Sequence, residues 1–291
     1  MSDSLFALPV KQTLSPSLTL RQQDQLPLVV VVDHPQVRAA VTLQGAHLVA
    51  WQPTGEQPVL WLSEKSAFQE GVAIRGGVPI CWPWFGKVAT PNHGFARILP
   101  WELSHHSEDD QQVQLTFTLR DSTLTEPFFP HPFTLKAHFT LGQTCSIELV
   151  AEGEYQATAA LHSYFTVGAI GDIHVSGLGA NFIDKVNGAQ PAQQQGDVTF
   201  SGEVDRVYTA PTETSLIHDP VLGRVIEVHH QHHSDVVAWN CGQSLSQSIG
   251  DLADDSYLSY VCVETARVSA PLISTPATPA RLQQTLRLRK S

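Results

Sequence analysis

The sequence predicts an all-β chain folded as a large antiparallel β-sandwich. Three observations carry that expectation. Several stretches alternate strictly between apolar and polar residues, the pattern of a strand with one buried face. No stretch sustains a helical period, apart from a short turn near Ser244 to Leu252. The 291 residues include 19 glycines and 19 prolines, enough to punctuate many short strands. Many strands without helices pack face to face.

The elements follow in order. Residues 1–25 are polar and partly irregular. Leu28 to Val32 is β-branched and reads as a buried strand, and Val37 to Trp51 continues around a turn at Gly45. In Gln112 to Arg120, Val113, Leu115, Phe117 and Leu119 share one face. Phe133, Leu135, Ala137, Phe139 and Leu141 repeat the pattern, as do Ile147, Leu149 and Ala151. Pro130 and Pro132 break the chain between two of these strands. Later strands are expected at 158–167, 198–208, 223–229, 234–240 and 257–265, with a last one from Arg281 to Leu288. No repeat and no long polar linker divides the chain, so residues 1–291 read as one domain.

Composition bounds the function. A net charge of −11 counts against non-specific binding to nucleic acid or to an anionic membrane. An anionic substrate would therefore need a local basic patch. Cys81, Cys145, Cys241 and Cys262 form no Cys-x-x-Cys pair, which argues against a zinc ribbon or a thioredoxin-type motif. The start lacks a basic segment followed by an apolar run. The longest apolar stretch, Leu26 to Val32, is too short to span a bilayer. A soluble cytoplasmic protein with reduced thiols is expected.

Glycine, proline, aromatics and single charges crowd most tightly between Arg75 and Arg97. Paired Gly76 and Gly77 permit positive φ or close backbone approach. Trp82, Trp84 and Phe85 offer flat faces on which sugar rings can lie. Read structurally, the stretch is a tight connection whose aromatics fill the core. Isolated arginines on a rigid loop favour a site, because functional groups concentrate on such loops.

Two strands carry candidate chemistry. In Ala160 to Val167, alternation turns His162, Tyr164 and Thr166 away from Leu161, Phe165 and Val167. In Tyr257 to Thr265, Tyr260, Cys262 and Glu264 lie opposite Val261 and Val263. Singly, such a histidine is usually a hydrogen-bonded structural residue and such a glutamate a solvated one. Together they could act as an acid/base pair, with ordinary pKa values near 6.5 and 4.3. The run His229-His-Gln-His-His233 invites a metal reading, but reads better as a solvated, partly cationic surface. No Gly-x-Gly-x-x-Gly, phosphate-loop or Gly-x-Ser-x-Gly motif is present, so nucleotide chemistry and serine hydrolysis lack support.

Ile74 to Gly86, His93 to Arg97, Leu161 to Phe165, Val204 to Tyr208, Ala238-Trp-Asn240 and Val261 to Glu264 occur in that order. This ordered set resembles the glucose-6-phosphate 1-epimerases (hexose-6-phosphate mutarotases) of the aldose 1-epimerase superfamily. The resemblance covers about residues 28 to 288. It implies a galactose-mutarotase-type sandwich, no metal or organic cofactor, and a small sugar phosphate as partner. It implies His162 and Glu264 as the catalytic pair, and substrate contacts from Arg75, Asn92, Arg97 and Asp205. Two positions depart from the family pattern: Asn92 stands where Gln is common, and Cys241 where Pro follows the Trp-Asn pair. Neither departure touches the pair. A non-catalytic carbohydrate-binding or sugar-phosphate-sensing module is the alternative. A glycosidase using Asp254 or Asp255 with Glu264 ranks behind both. A monomer is favoured, with oligomeric state left open by the sandwich edges.

Overall fold

The computed structural model describes residues 2–290. Three antiparallel sheets make up the molecule. The first is a five-stranded meander between Val10 and Pro53. Its register runs hairpin by hairpin, with Val29–His34 paired to Val37–Thr42 and that strand to His47–Pro53. Residues 1–25 are more regular than expected. They carry the helix Ser2–Phe6 and the strands Val10–Ser15 and Leu18–Arg21. Val10–Ser15 is largely exposed and lacks a clean apolar alternation, so only its pairing to Leu18–Arg21 makes it a strand.

The second sheet holds the strands of clearest alternation. Gln112–Arg120, Phe133–Gly142 and Cys145–Gly153 lie side by side, flanked by Glu102–Glu108 and Ala280–Lys290. Arg224–Gln231, Thr214–Asp219 and His174–Ser176 complete it. The third sheet includes Val204–Tyr208, Asp235–Asn240, Tyr260–Ser274 and Tyr155–Leu161 in that lateral order. The strand expected at 198–208 begins only at Val204. The one expected at 257–265 begins at Tyr260, after the 3-10 turn Ser256–Leu258, and runs on to Ser274. The turn near Ser244 is the helix Gly242–Ser248.

One apolar cluster joins residues of all three sheets, from Leu18, Val41 and Trp51 to Phe117, Phe139, Phe165 and Val263. Burial of this size supplies the main driving force, at about 25 cal/mol per Å² of apolar surface. Both expected catalytic residues belong to the third sheet region, on its face away from that cluster. No helix among the described residues is long and apolar enough to cross a membrane.

Candidate active site

The Arg75 loop is laced to the segment that carries His162, where the strand expected at 158–167 breaks between Tyr155–Leu161 and Tyr164–Thr166. The Gly77 carbonyl accepts from the Tyr164 N–H at 2.9 Å, and the Pro79 carbonyl accepts from the His162 N–H at 3.0 Å. Gly77 in turn donates to the Trp61 carbonyl at 2.7 Å. Such lacing needs close backbone approach. A Cβ on Gly76, at φ +110°, would sit 2.5 Å from the Trp61 carbonyl oxygen, and one on Gly77 2.3 Å from that of Leu48. The paired glycines thus let the loop run against the sheet.

These elements wall a cavity of about 590 Å³. His162 and Glu264 meet in it, with Nε2 of His162 3.5 Å from Oε1 of Glu264. They share a face because alternation in Tyr260–Ser274 turns Glu264 away from Val263 and Thr265. Glu264 is buried to 1% exposure and His162 to 7%. His162 Nδ1 and Glu264 Oε2 are buried without a hydrogen-bond partner. Buried polar atoms are rarely left so in a core, and a substrate hydroxyl or ring oxygen would satisfy them. The Tyr164 ring stacks on His162 at 4.8 Å and 7°, and Trp239 stands edge-on to His162 at 6.0 Å.

Electrostatics pull the pair in opposite directions. Burial holds His162 well below its ordinary value, and His93, Arg97 and Arg75 add to that effect. Burial drives Glu264 well above the usual carboxylate range, helped by Asp205 and opposed by Lys185 and Arg97. Both uncharged forms are therefore favoured in the free protein, and the two groups titrate as one unit. His93 is also neutral, since burial and then Arg97 push it down to about 3. Its Nδ1 accepts the Gly86 N–H at 3.3 Å, which leaves its remaining proton on Nε2 as a donor.

The expected contact residues all line the cavity: Arg75, Asn92, Arg97 and Asp205. Their states differ. Arg75 is already engaged, with Nε 3.1 Å from Asp251 Oδ2, Nη2 3.1 Å from Asp251 Oδ1 and Nη1 donating to Tyr164 Oη at 3.2 Å. Arg97 donates from Nη2 to the Asn92 carbonyl at 2.8 Å, while its Nε is buried and unpartnered. Asn92 thus orients Arg97 through its backbone, and its side chain is exposed. Asp205 pairs across the strands with Trp239, and burial raises its carboxyl against the pull of Lys185 and Lys87.

Sequence reasoning missed four participants. Lys185 and His93 line the cavity, and Trp239 forms part of its wall. Asp251 anchors Arg75 from a separate segment. Trp239 and His93 lay inside quoted motifs, whereas Lys185 and Asp251 carry no local signal at all. Other expectations need correction. Trp82 is fully buried, boxed by Phe95, Phe129, Phe133 and Tyr155, so it fills the core instead of offering a sugar platform. Trp84 donates to the Pro91 carbonyl at 2.8 Å and packs edge-on against Phe95. Only Phe85 of the three reaches the cavity. Asp254 and Asp255 are exposed and do not share the cavity of Glu264. His230 is buried to 1% exposure while His232 is exposed and His229 and His233 are half-buried, so the histidine run is only in part the solvated surface expected of it. Among the described residues no three His, Cys, Asp or Glu side chains are grouped to hold a metal ion.

Comparison with known proteins agrees with this geometry. The family model described as aldose 1-epimerase matches residues 28–279. A Salmonella typhimurium protein named "Putative glucose-6-phosphate 1-epimerase" is 54% identical over 290 residues, covering 98% of each chain. A crystal structure described as "a putative mutarotase" from the same organism superposes with a TM-score of 0.97 at 53% identity, over 100% of both chains. A galactose mutarotase-like protein of Clostridium acetobutylicum shares the fold, with a TM-score of 0.72 at 13% identity over 95% of this chain and 100% of that one. The chain is therefore an all-β sandwich of the galactose mutarotase type and belongs to the aldose 1-epimerase family, enzymes that interconvert the α and β anomers of a sugar.

Proposed function

We propose that the substrate is glucose 6-phosphate or a related hexose 6-phosphate, and that His162 and Glu264 open and reclose its ring without a cofactor. The observation that carries this reading is one cavity holding a buried His–Glu pair 3.5 Å apart together with Arg97, Lys87 and Lys185. The pair supplies the proton transfers, and the cations supply a reason for a phosphate.

Ring opening removes the proton of the anomeric hydroxyl and gives one to the ring oxygen. Glu264 is the base and His162 the acid. The single proton shared by the pair must then sit on His162. In the free protein, Arg97 and Arg75 help to keep it off the imidazole. A phosphate dianion beside those guanidiniums offsets their field at the imidazole and so raises the basicity of His162. Substrate binding thus favours the imidazolium that the reaction needs as its acid. The aldehyde rotates about its bond to the next carbon. Reclosure on the other face runs the same transfers in reverse. Neither the carboxylate nor the imidazole is consumed.

Arg97, Lys87 and Lys185 are the phosphate contacts in this reading. Arg75 keeps two N–H donors free of Asp251 and Tyr164 and reaches the sugar phosphate as a neutralised ion pair. Asp205 and His93 Nε2–H bind sugar hydroxyls. Trp239 and Phe85 bound the ring. Asn92 acts by holding Arg97. A cytoplasmic site of action completes the reading, supported by four buried free cysteines.

Arg97→Ala separates phosphate recognition from chemistry. It is expected to lower kcat/KM for glucose 6-phosphate by about tenfold or more, the value of one charge-assisted contact, and to leave free glucose nearly unaffected. Equal losses on both sugars would remove Arg97 from phosphate binding.

A further inference from the structure

Behind the His162–Glu264 pair, on the opposite face of the same strands, lies a chain of buried polar groups that the reaction itself does not use. It runs Ser215, His230, Thr265, Gln284, Ser163, and every member is at most 1% exposed. Ser163 follows His162 in sequence, and Thr265 follows Glu264. Alternation in Tyr260–Ser274 points Glu264 into the cavity and Thr265 into the core. In the break between the strands Tyr155–Leu161 and Tyr164–Thr166, His162 lines the cavity while Ser163 is fully buried.

The hydrogen bonds form a directed series. Because the Thr265 hydroxyl donates onward to Gln284, the His230 tautomer follows: Nδ1–H donates to Thr265 Oγ1 at 2.7 Å, and Nε2 accepts from Ser215 Oγ at 3.0 Å. Thr265 Oγ1 donates to Gln284 Oε1 at 3.2 Å, and Gln284 Nε2 donates to Ser163 Oγ at 2.7 Å. His230 and Gln284 are cross-strand neighbours in the second sheet. Thr265 belongs to the third, and Ser163 to the break between two of its strands. One glutamine therefore ties the residue after His162 to the residue after Glu264, and both to the facing sheet. The register places Thr265 opposite Leu161, so the tie acts where the two strands already pair.

We propose that Gln284, with Thr265, Ser163 and His230, is a positioning network that fixes the separation and orientation of His162 and Glu264. This rests on the catalytic roles proposed above for that pair. Stability does not require such a network. Apolar groups of the same shape can replace a buried hydrogen-bonded pair at little cost. What a fully satisfied network adds is a single rigid arrangement. That is the requirement of a pair whose two proton transfers must reach two oxygens of one sugar ring. It also gives the His229–His233 run a purpose, through its one buried member.

The test uses Ser163→Ala, Thr265→Val, Gln284→Met and the conservative Thr265→Ser. Anomer exchange of glucose 6-phosphate gives kcat and KM, and the ring ¹⁵N shifts of His162 report its tautomer and contact with Glu264 without needing turnover. Thr265→Val and Gln284→Met are expected to lower kcat by about ten- to hundredfold with KM nearly unchanged, the signature of misplaced reacting groups. Both should move the His162 shifts, and Thr265→Ser should restore most of the rate. Ser163→Ala, which loses one hydroxyl, serves if the larger changes do not fold, and should lower kcat and move the shifts in the same direction. Wild-type kcat and wild-type His162 shifts in the folded variants would overturn the proposal. If the wild-type protein failed to accelerate exchange at all, the functional reading would fall, and the His162 shifts alone would decide the positioning role.

Discussion

At the scale of residues, the His–Glu pair is built against its own stability. Glu264 has a folded pKa raised above its unfolded value, so the folded state binds the proton more tightly. The contribution of Glu264 to stability is then largest below about pH 4.5 and is lost as pH rises through the folded value. His162 is depressed, so the folded state also loses stability as pH falls below about 6.5. Glu264→Gln removes the first cost. Thermal unfolding at neutral pH should show a higher Tm for Glu264→Gln, at about 2–4 °C per kcal/mol for a chain of this size. The gain should shrink toward pH 4, where wild type carries the proton anyway. An equal or lower Tm at pH 7 would mean that Glu264 is not held in a penalising environment. For catalysis, kcat/KM should fall on the acid side as the pair takes a second proton, which leaves both His162 and the base Glu264 protonated, at a pH below the ordinary value of histidine. It should fall on the alkaline side as the pair loses the proton it shares. Glu264→Gln should abolish this bell along with the activity.

At the scale of elements, the Arg75–Arg97 stretch serves recognition in the proposed reading and has a structural back. Its glycines admit the close lacing to Trp61 and Leu48, its Trp82 fills the core, and its two arginines face the cavity. The segment after Asn240 completes the wall. Asn240 donates from Nδ2 to the Tyr257 and Tyr260 carbonyls at 2.9 Å and accepts the Gly242 N–H at 2.9 Å. That staple places Leu245 and Ile249 on the cavity and Asp251 on Arg75. Asp251→Asn should therefore free Arg75 to reorient. The account expects KM for the sugar phosphate to change severalfold, about 1 kcal/mol for one half-buried ion pair, with a smaller effect on kcat. Saturation kinetics on the variant would show it, and a pure kcat loss would speak against a recognition role.

The legible part of the sequence follows from the same elements. Gln112–Arg120 was readable to the residue because Val113, Leu115, Phe117 and Leu119 are all buried and the opposite face, Thr118 apart, meets solvent. Glu264 was legible as a polar position within an apolar strand, turned to one side by alternation; the strand expected at 158–167 is broken at His162 and Ser163, so His162 is oriented by that break and not by alternation. Val10–Ser15 was not legible, since an exposed edge strand has no apolar face to mark it. Lys185 and Asp251 were hidden for another reason. Each is an ordinary charged residue in a loop, and only the tertiary fold brings it to the cavity. The His229–His233 run misled because a cluster of polar residues suggests solvent, while the register of Arg224–Gln231 buries one of them.

At the scale of the whole molecule, a chain of net charge −11 gathers Arg97, Lys87 and Lys185 around one cavity. In the proposed reading, the long-range field repels a phosphate and the local one holds it. Screening acts mainly on exposed charges, over about 10 Å at 0.1 M salt and about 3 Å at 1 M. Raising salt should therefore weaken binding of glucose 6-phosphate and leave KM for free glucose unmoved, measured by initial rates across a salt series. A KM for the phosphate ester that ignores salt would argue that the lysines do not contact it.

The central claim is that one buried His–Glu pair opens and recloses the ring of a phosphorylated hexose. NMR exchange spectroscopy between the α and β anomers of glucose 6-phosphate tests it most directly, on wild type, His162→Ala and Glu264→Gln. The account predicts fast exchange with wild type, and a loss of about 10²–10⁴-fold in each variant. Exchange at the wild-type rate in both variants would contradict it.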